Sequence, residues 1–528
     1  MKVHVYDTTL RDGTQGEHVA LSLEDKLKIA RRLDDAGFDY IEGGWPGSNP
    51  KDIRFFERVQ NEQFAHARVA AFGSTRRANV KAADDTNLRL LVESEAPVVT
   101  IFGKTWDFHV TRALRIALEE NLEMIRDSVE YLKSHGREVI YDAEHFFDGH
   151  KANPEYALKT VAAAAAGGAD LLCLCDTNGG SLPEEIAAAT RLVRKAVKGV
   201  PVGIHAHNDG GVGVANTLAA VRAGARHVQG TVNGYGERCG NADLCQVIAN
   251  LELKMGHECI GEEHLHRLRG LSFFVSEVAN LNPDDKQPFV GLSAFAHKGG
   301  IHVDAVMKDP DTYEHVKPEA VGNRRRVLVS ELSGSSNIRY KASRIGIELK
   351  KGSPEVAGLL GEVKRLADQG YEFEGAEASF ELLLRRQLGE VTPLFDLNKL
   401  QVIVEMEKAH PEAMSDAVLK LTVGANQVYV GAEGDGPVHA MDNALRKALN
   451  EHYLQLKDIH LTDFKVRVVN TQDGTAAKVR VLLESSCNGR SWTTVGVSTN
   501  IIEASWTALT DGIAFGLLHY EEFMRNGG

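Results

Sequence analysis

The residues best suited to chemistry lie at the ends of three stretches in the first half of the chain. Arg11 and Asp12 follow a short alternating stretch. His205 and His207 end another, and Asn241 closes a glycine-rich loop. Two residues apart on a strand, the histidines share one face. Together with a carboxylate and an amide oxygen they suit an open divalent-metal site, with Mn²⁺, Zn²⁺, Co²⁺ and Mg²⁺ all compatible.

Arg11 would add a fixed cation beside that metal. A metal next to a guanidinium suits a 2-oxo acid, because the ketone and the carboxylate can both bind the metal. Arg11 would then stabilise the negative charge that develops on the ketone oxygen during attack. Taken alone, the Arg11–Asp12 pair also fits a charged surface turn, and the two histidines also fit solvent-facing residues.

Further polar residues follow other predicted strands. Glu144 is a candidate to abstract a proton or to steer a second reactant, but it also fits a solvated loop carboxylate or a partner of a metal-binding histidine. Thr177 is suited to bind a substrate carboxylate, or to cap the next helix. Tyr235 lies in the glycine-rich turn before Asn241 and is a weaker candidate for substrate contact. We expect Asp142 to support the site from behind or to be structural.

The elements that must position these residues alternate between strand and helix up to about residue 249. Eight strands are predicted, at residues 3–6, 40–42, 68–72, 98–102, 139–142, 171–175, 202–205 and 228–231. This count predicts a closed (β/α)8 TIM barrel, an α/β fold whose catalytic groups gather at the carboxyl ends of the strands. An open doubly wound sheet is the alternative, but it needs a glycine-rich phosphate turn after the first strand, which residues 12–15 do not provide.

The rest of the chain changes character twice. We predict a barrel domain at 1–275, a mostly helical bridging region at 276–375 and an α+β domain at 376–528, with a linker near 371–376. The last domain has a weak internal repeat. Val430-Gly431 followed by an alanine-containing helix matches Val495-Gly496 followed by another. Two such units predict a pseudo-symmetric domain that can dimerise and bind a regulatory ligand at its seam.

Composition narrows the possible partners. The 528 residues carry a formal net charge of -13 with no sustained basic run, which argues against nucleic acid and anionic membranes as main partners. The six cysteines form no CxxC pair and fit reduced thiols. No signal-peptide pattern opens the chain, and the apolar tract 161–169 is too short to span a bilayer. We expect a cytoplasmic protein.

Three motifs in order give a family resemblance. The stretch Asp7-Thr8-Thr9-Leu10-Arg11-Asp12-Gly13, the pair His205-x-His207 and the loop Gly236-Glu237-Arg238-x-Gly240-Asn241 resemble the metal-dependent Claisen condensases. That family holds the 2-isopropylmalate, homocitrate and citramalate synthases, in a barrel superfamily shared with hydroxymethylglutaryl-CoA lyase. The last loop favours the synthases, because the lyases use a differently built glycine loop with a catalytic cysteine. Cys239 is therefore given no nucleophilic role.

The resemblance implies that acetyl-CoA loses a methyl proton, adds to a 2-oxo acid and is hydrolysed to release CoA. It implies a metal site formed by Asp12, His205, His207 and Asn241. Arg11 would stabilise the oxyanion, Glu144 would hold or deprotonate acetyl-CoA, and Thr177 would bind the substrate carboxylate. His302 and Tyr313 match residues that such enzymes supply from the partner subunit, which implies a homodimer.

Two loops bear on the choice of substrate. Residues 42–50 contain Trp45, and residues 102–109 contain Phe102, Trp106 and Phe108. Both stretches differ from the less aromatic ones expected of isopropylmalate synthases and resemble the citramalate branch, whose 2-oxo acid is pyruvate. Bulky Trp106 or Phe108 would exclude a larger side chain. This branch implies isoleucine as the feedback effector, with leucine as the alternative. Isopropylmalate or homocitrate synthesis is the closest competing function, followed by a metal-dependent acyl-CoA lyase and by an amino-acid sensor without activity.

Overall fold

A computed structural model describes residues 1–330, 332–407, 410–469, 474 and 476–525 of the chain. The chain divides into two compact units. The first comprises Met1–Phe295 and His315–Arg325, and the second comprises Ala296–Glu314 and Arg326–Gly528.

The first unit is built on a closed barrel of eight parallel strands in chain order, each paired with the next and the last with the first. The strands are β1 His4–Asp7, β2 Tyr40–Gly44, β3 Arg68–Ser74, β4 Val98–Lys104, β5 Glu138–Glu144, β6 Leu171–Asp176, β7 Val202–Ala206 and β8 His227–Gly230. Each of the eight predicted strands overlaps one of them. The predicted (β/α)8 fold is therefore confirmed, and the open-sheet alternative is wrong.

Helices surround the barrel. They are α1 Leu23–Asp35, α2 Pro50–Val59, α3 Thr86–Glu93, α4 Asp107–His109, α5 Leu118–Ser134, α6 Phe146–Ala152, α7 Pro154–Ala166, α8 Pro183–Ala196, α9 Gly213–Arg222, α10 Leu244–Leu253, α11 Glu262–Leu265 and α12 Leu268–Val278. Local sequence sets their ends. In α1, Ser22 accepts a hydrogen bond from the Asp25 amide while the Asp25 carboxylate accepts one from Ser22, which is the predicted capping box. Leu27 and Leu33 then bury the apolar face of α1 against the barrel core.

Strand pairing brings distant residues together at one end of the barrel. Because β1 closes against β8, the loop after β1 lies beside the loops after β7 and β8. In a parallel barrel all strands end at the same rim, so Arg11, Glu144 and His207 reach one face although up to about 200 residues separate them. The barrel therefore positions the candidate site without any long loop having to fold back.

Inside the barrel, β8 carries a histidine with no partner. His227 is 0% exposed, contacts the rings of Tyr6 and Tyr40, and neither ring nitrogen has a hydrogen-bond partner among the described residues. Burial lowers its pKa from 6.5 to about 3. Above pH 6.5 the ring is neutral in the folded and unfolded states. As the pH falls towards 3 the unfolded chain takes up a proton that the folded chain does not, so stability is lost.

This gives a test in urea unfolding. As the pH falls from 6 to 4, we expect His227 to lower the free energy of unfolding by about 1.4 kcal/mol for each pH unit. The His227→Leu variant should lose this slope, and should be no less stable at pH 8, because it removes two unsatisfied nitrogens. His18→Asn, at an exposed site, is the control and should keep the wild-type slope. A wild-type slope in His227→Leu would show that His227 titrates normally.

The second unit contains six helices and two three-stranded antiparallel sheets within the described residues. The helices are α13 Gly300–Lys308, α14 Ser335–Arg344, α15 Pro354–Asp368, α16 Glu377–Gln387, α17 Pro437–Leu449 and α18 Ile501–Arg525. The strands are the short parallel pair β9 Ala296–His297 and β10 Arg326–Val327, then β11 Asp396–Glu407, β12 His410–Val423, β13 Asn426–Gly434, β14 His460–Val468, β15 Val479–Cys487 and β16 Arg490–Ser498.

The predicted repeat is confirmed. Strands β11–β13 precede α17, strands β14–β16 precede α18, and each helix packs on its own sheet. Met441 of α17 and Ile513 of α18 lie in one apolar cluster, so the two copies share a core. Helix α18 is long and apolar enough to cross a membrane by length and composition, but 56% of its most apolar window is buried inside the protein. Burial of this kind is typical of a core helix.

The segment 371–376, predicted as a linker, joins α15 to α16. Phe373 and Ala376 are buried there, in an apolar cluster that also holds Leu359 of α15 and Phe380 of α16. The segment is thus a packed connection between two helices of the second unit. The domain boundaries near 275 and 375 stay predictions.

Candidate functional site

Hydrogen bonds fix the loop that follows β1. The Asp7 carboxylate accepts from the backbone and the hydroxyl of Thr9, at 2.9 and 2.8 Å. Thr9 Oγ1 in turn accepts from the Val232 amide at 2.9 Å, which joins this loop to the loop after β8. Burial raises the pKa of Asp7 to about 7. The Asp7-Thr8-Thr9 part of the motif therefore builds the loop, and leaves its chemistry to the residues that follow.

Asp12 meets His205 of β7 and His207, which directly follows that strand, at the barrel rim. Its Oδ2 lies 3.3 Å from His205 Nε2 and 3.9 Å from His207 Nε2. One donor atom from each of the three residues lies within 4.8 Å of the others, and all three side chains are buried. The predicted convergence of a carboxylate and two imidazoles is thus present in the folded chain, as a candidate metal site.

Asn241 is brought to the same place by the glycine-rich loop. It forms an isolated antiparallel bridge with His207, and its Nδ2 donates to the Tyr235 carbonyl at 3.0 Å. A Cβ on Gly240 would lie 1.9 Å from the Gly234 carbonyl, and one on Gly236 would lie 2.3 Å from Asn241 Nδ2. Both glycines also have positive φ. Glycine at these two positions therefore lets the loop fold tightly enough to deliver Asn241.

Two observations indicate that Asp12, His205, His207 and Asn241 could hold a divalent cation. Asn241 Oδ1 is buried and has no hydrogen-bond partner among the described residues, which is costly unless something else binds it. Burial, reinforced by His205, lowers the pKa of His207 to about 4, so this ring is neutral and able to ligate at neutral pH. Burial would raise the pKa of Asp12, but the Arg11 charge holds it below its usual range. Burial would lower the pKa of His205, but the neighbouring Asp12 carboxylate raises it.

Arg11 is clamped next to these residues. Its Nε donates to Glu42 Oε2 at 2.6 Å, its Nη1 lies 3.4 Å from Asp12 Oδ2, and its guanidinium stacks 3.7 Å above the centre of the Phe72 ring. Glu42 is fully buried and also accepts from the hydroxyls of Tyr6 and Thr8. Burial would lower the pKa of Arg11, but the Glu42 and Asp12 carboxylates raise it, which keeps a permanent cation at the site.

Glu144 is the last residue of β5, and Thr177 directly follows the neighbouring strand β6. Glu144 forms an ion pair with Lys104, the last residue of β4. Thr177 Oγ1 accepts from the His145 amide at 2.8 Å, so its own hydroxyl hydrogen stays available to donate. The alternative role of Thr177 as a helix cap is wrong, because α8 begins at Pro183. Their roles with substrate stay predictions.

Three other candidates lie in quite different surroundings. The Tyr235 hydroxyl lies 3.0 Å from Ser276 Oγ and accepts from Asn233 Nδ2 at 3.3 Å, while the Tyr235 carbonyl holds Asn241. Through these hydrogen bonds Tyr235 holds the loop in place. A contact between Tyr235 and substrate stays a prediction. His302 and Tyr313 belong to the second unit, where both are exposed and their rings lie with centroids 4.3 Å apart, tilted by 30°. The predicted partner-subunit role of this pair is likewise untested.

An aromatic cluster lies behind Arg11. The rings of Phe72 and Phe102 stack at 5.5 Å, and Trp45 meets both of them edge-on, at 5.8 and 5.7 Å. Lys104, which pairs with Glu144, also lies 5.3 Å from the Phe102 ring centre. Phe102 thus lies between the arginine side and the glutamate side of the site. By contrast, Phe108 is 52% exposed and packs with Trp106 against His109.

Several of these residues were not given a role from sequence. Glu42 and Phe102 end predicted strands and begin the two loops that bear on the choice of substrate, without an individual role from the sequence. Lys104 falls in the loop 102–109, Phe72 at the end of a predicted strand and Gln229 within another, and the sequence gives none of the three an individual role. For Gln229 there was a signal, since a polar side chain in the middle of a parallel strand that is buried on both faces needs a partner. For Phe72 and Lys104 there was none, because their importance comes from neighbours on other strands.

The comparisons with known proteins cover nearly the whole chain. A family model described as HMGL-like matches residues 2–271, one described as a homocitrate synthase post-HMGL domain matches 289–371, and the LeuA allosteric (dimerisation) domain matches 374–517. The (R)-citramalate synthase of Geobacter sulfurreducens is 54% identical over 98% of both chains, and that of Aquifex aeolicus is 53% identical over 99% of both. A probable 2-isopropylmalate synthase of Methanopyrus kandleri is 33% identical over 97% of this chain and 98% of its own length.

Proposed function

The chain belongs to the (R)-citramalate synthases of the HMGL-like family, and from this we propose that it condenses acetyl-CoA with pyruvate and hydrolyses the thioester to citramalate and CoA. The observation that carries the proposal is the meeting of Asp12, His205 and His207 beside the clamped Arg11. This arrangement suits a chelating 2-oxo acid whose ketone must accept a carbon nucleophile. An inactive amino-acid sensor would have no need to keep a permanent cation and a neutral histidine buried together.

The proposal gives the metal ligands, Arg11 and Thr177 one task each. Asp12, His205, His207 and Asn241 would hold the divalent cation, which polarises the ketone when it is bound. Arg11 donates Nη hydrogens to the oxygen that becomes negative as the new carbon–carbon bond forms. The Thr177 hydroxyl donates to the pyruvate carboxylate. Water then attacks the thioester carbonyl, and CoA leaves as its thiol.

Glu144 has two candidate tasks, which the Lys104 ion pair helps to define. The Lys104 ammonium holds the Glu144 side chain in place at the rim, where it can serve as a base for the acetyl methyl group or as a group that positions acetyl-CoA. We propose that His302 and Tyr313 complete the site from a second subunit. Their exposure in the single chain leaves them available for that role.

Homodimerisation and feedback inhibition by isoleucine are part of the same proposal. The match to the LeuA dimerisation domain supports a dimer, and so do the exposed apolar side chains of the repeat sheets, among them Tyr429, Phe464 and Met414. A cavity of about 800 Å³ in this unit is lined by Leu456, Phe464, Arg446 and Asp442. Apolar walls beside the Arg446 and Lys457 cations and the Asp442 carboxylate suit a branched amino-acid zwitterion.

The direct test measures release of free CoA with a panel of 2-oxo acids. Pyruvate should give the highest kcat/KM, ahead of 2-oxoisovalerate and 2-oxoglutarate, and isoleucine should inhibit more strongly than leucine. Preference for either larger acid would replace the proposal with isopropylmalate or homocitrate synthesis. Cleavage of a hydroxyacyl-CoA with no condensation would replace it with a lyase. A truncated chain ending near residue 375 that still responds to isoleucine would contradict the location of the effector site.

Substrate size gives a second test at Phe102. If Phe102 limits the space between Arg11 and Glu144, Phe102→Ala should raise kcat/KM for 2-oxoisovalerate relative to pyruvate. One excluded methylene is worth about 10- to 200-fold in discrimination, so we expect a change of about 10-fold or more. Phe108→Ala tests the competing position and should leave the ratio unchanged. If Phe108→Ala changes this ratio and Phe102→Ala does not, the loop after β4 selects the substrate by size, and Phe102 does not.

A further inference from the structure

Beneath the metal site, one amide connects a metal-binding histidine to a carboxylate across the barrel interior. His205 Nδ1 lies 2.9 Å from Gln229 Oε1, and Gln229 Nε2 donates to Asp142 Oδ1 at 3.0 Å. His205 and Gln229 are neighbours on β7 and β8, whereas Asp142 belongs to β5. All three side chains are buried, with Gln229 at 0% exposure.

The chemistry of the amide gives this contact a direction. A carboxylate accepts hydrogen bonds, so Asp142 holds the NH₂ group of Gln229 towards itself. The amide oxygen then faces His205, and because an amide oxygen only accepts, Nδ1 must carry the hydrogen. Once the His205 ring is neutral, its only free lone pair is on Nε2, the nitrogen that lies 3.3 Å from Asp12 Oδ2 at the candidate metal position.

We propose that Asp142 and Gln229 act as an amide relay that fixes His205 in the tautomer able to bind the divalent metal through Nε2. The relay rests on the proposed metal site and deepens it. Gln229 and Asp142 are positioning residues, since they act on the metal only through His205. His207 has no such support, because its Nδ1 is buried without a partner among the described residues. The two histidines are therefore unequal, and the site depends on the relay for His205 alone.

The test is binding of Mn²⁺ to the full chain after chelation, followed by the electron paramagnetic resonance of free Mn²⁺ without substrates. Gln229→Met keeps the size of the side chain but cannot accept from Nδ1. We expect it to bind Mn²⁺ about 10- to 100-fold more weakly, the usual effect of losing the partner of a metal-binding histidine. Gln229→Glu should restore affinity close to wild type, because it can share one proton with Asp142 and still accept from His205.

A control separates this effect from loss of stability. Thr190 is buried in α8, donates to the Ile186 carbonyl at 2.7 Å and has no part in the site. Thr190→Val should lower the melting temperature of the metal-free protein and leave Mn²⁺ affinity unchanged. Wild-type affinity in Gln229→Met would overturn the relay, and so would a Gln229→Glu variant that folds but binds as weakly as Gln229→Met. If wild type itself fails to bind Mn²⁺, the proposed function fails instead.

A measurement on wild type keeps the relay testable if Gln229→Met does not fold. In Zn²⁺-loaded protein with ¹⁵N-labelled histidine, His205 Nδ1 should show a one-bond coupling to hydrogen, and that hydrogen should lie close to the Gln229 side chain. A His205 ring whose Nδ1 carries no hydrogen, or which binds the metal through Nδ1, would overturn the relay.

Discussion

Replacing Arg11 by alanine is expected to lower kcat by about 100- to 1,000-fold, equivalent to about 2.7–4 kcal/mol of transition-state stabilisation. The reason is that Arg11 is held before substrate arrives. Its Nε is engaged by Glu42, one face is covered by Phe72, and Nη1 lies near Asp12. Its remaining donors are therefore fixed in place for the oxygen that becomes negative. Steady-state release of CoA, with pyruvate varied, measures the loss.

Arg11→Lys should be nearly as damaging as Arg11→Ala. A lysine ammonium cannot reproduce the planar fork that meets Glu42 and stacks on Phe72 at the same time. Arg31→Ala is the matched control, since Arg31 forms an exposed ion pair with Glu62 outside the site, and it should keep wild-type turnover. Full turnover by Arg11→Ala would remove the oxyanion role, whichever 2-oxo acid proves to be the substrate.

The second large effect is expected at Asp12. Asp12→Asn preserves shape but removes the only carboxylate from a proposed ligand set that otherwise holds two imidazoles and an amide. Because loss of a residue that merely supports a ligand already costs 10- to 100-fold in metal affinity, loss of this ligand charge should weaken Mn²⁺ binding by at least about 100-fold. Titration of the metal-free protein with Mn²⁺ measures the change, and turnover at low Mn²⁺ should fall with it.

Asp35→Asn is the control for this change, because Asp35 is exposed at the end of α1, outside the site. It should bind Mn²⁺ as wild type does. An Asp12→Asn variant that keeps both Mn²⁺ affinity and turnover would mean that the cation binds elsewhere. A variant that keeps affinity but loses turnover would assign Asp12 to substrate rather than to the metal.

Much of the barrel and its residue types could be predicted from local pattern. Alternation of strands and helices, with polar residues after each strand, predicts a parallel barrel and a site at one rim. The capping box of α1 and the sheet–helix repeat near the end of the chain are similarly local signals. The candidate metal ligands could be proposed because two histidines spaced two apart share one strand face, and the family resemblance adds the carboxylate and the amide.

By itself, the sequence determined which side chains were available and at which rim they would gather. The tertiary structure alone decided how they are held. Arg11 is fixed by Glu42 and Phe72 from β2 and β3, and Gln229 meets Asp142 across the barrel from β8 to β5. Such partners lie far apart along the chain, and their distances follow from the closure and stagger of the eight strands. No short stretch of sequence contains that geometry, because it is set by packing between strands rather than by any one of them.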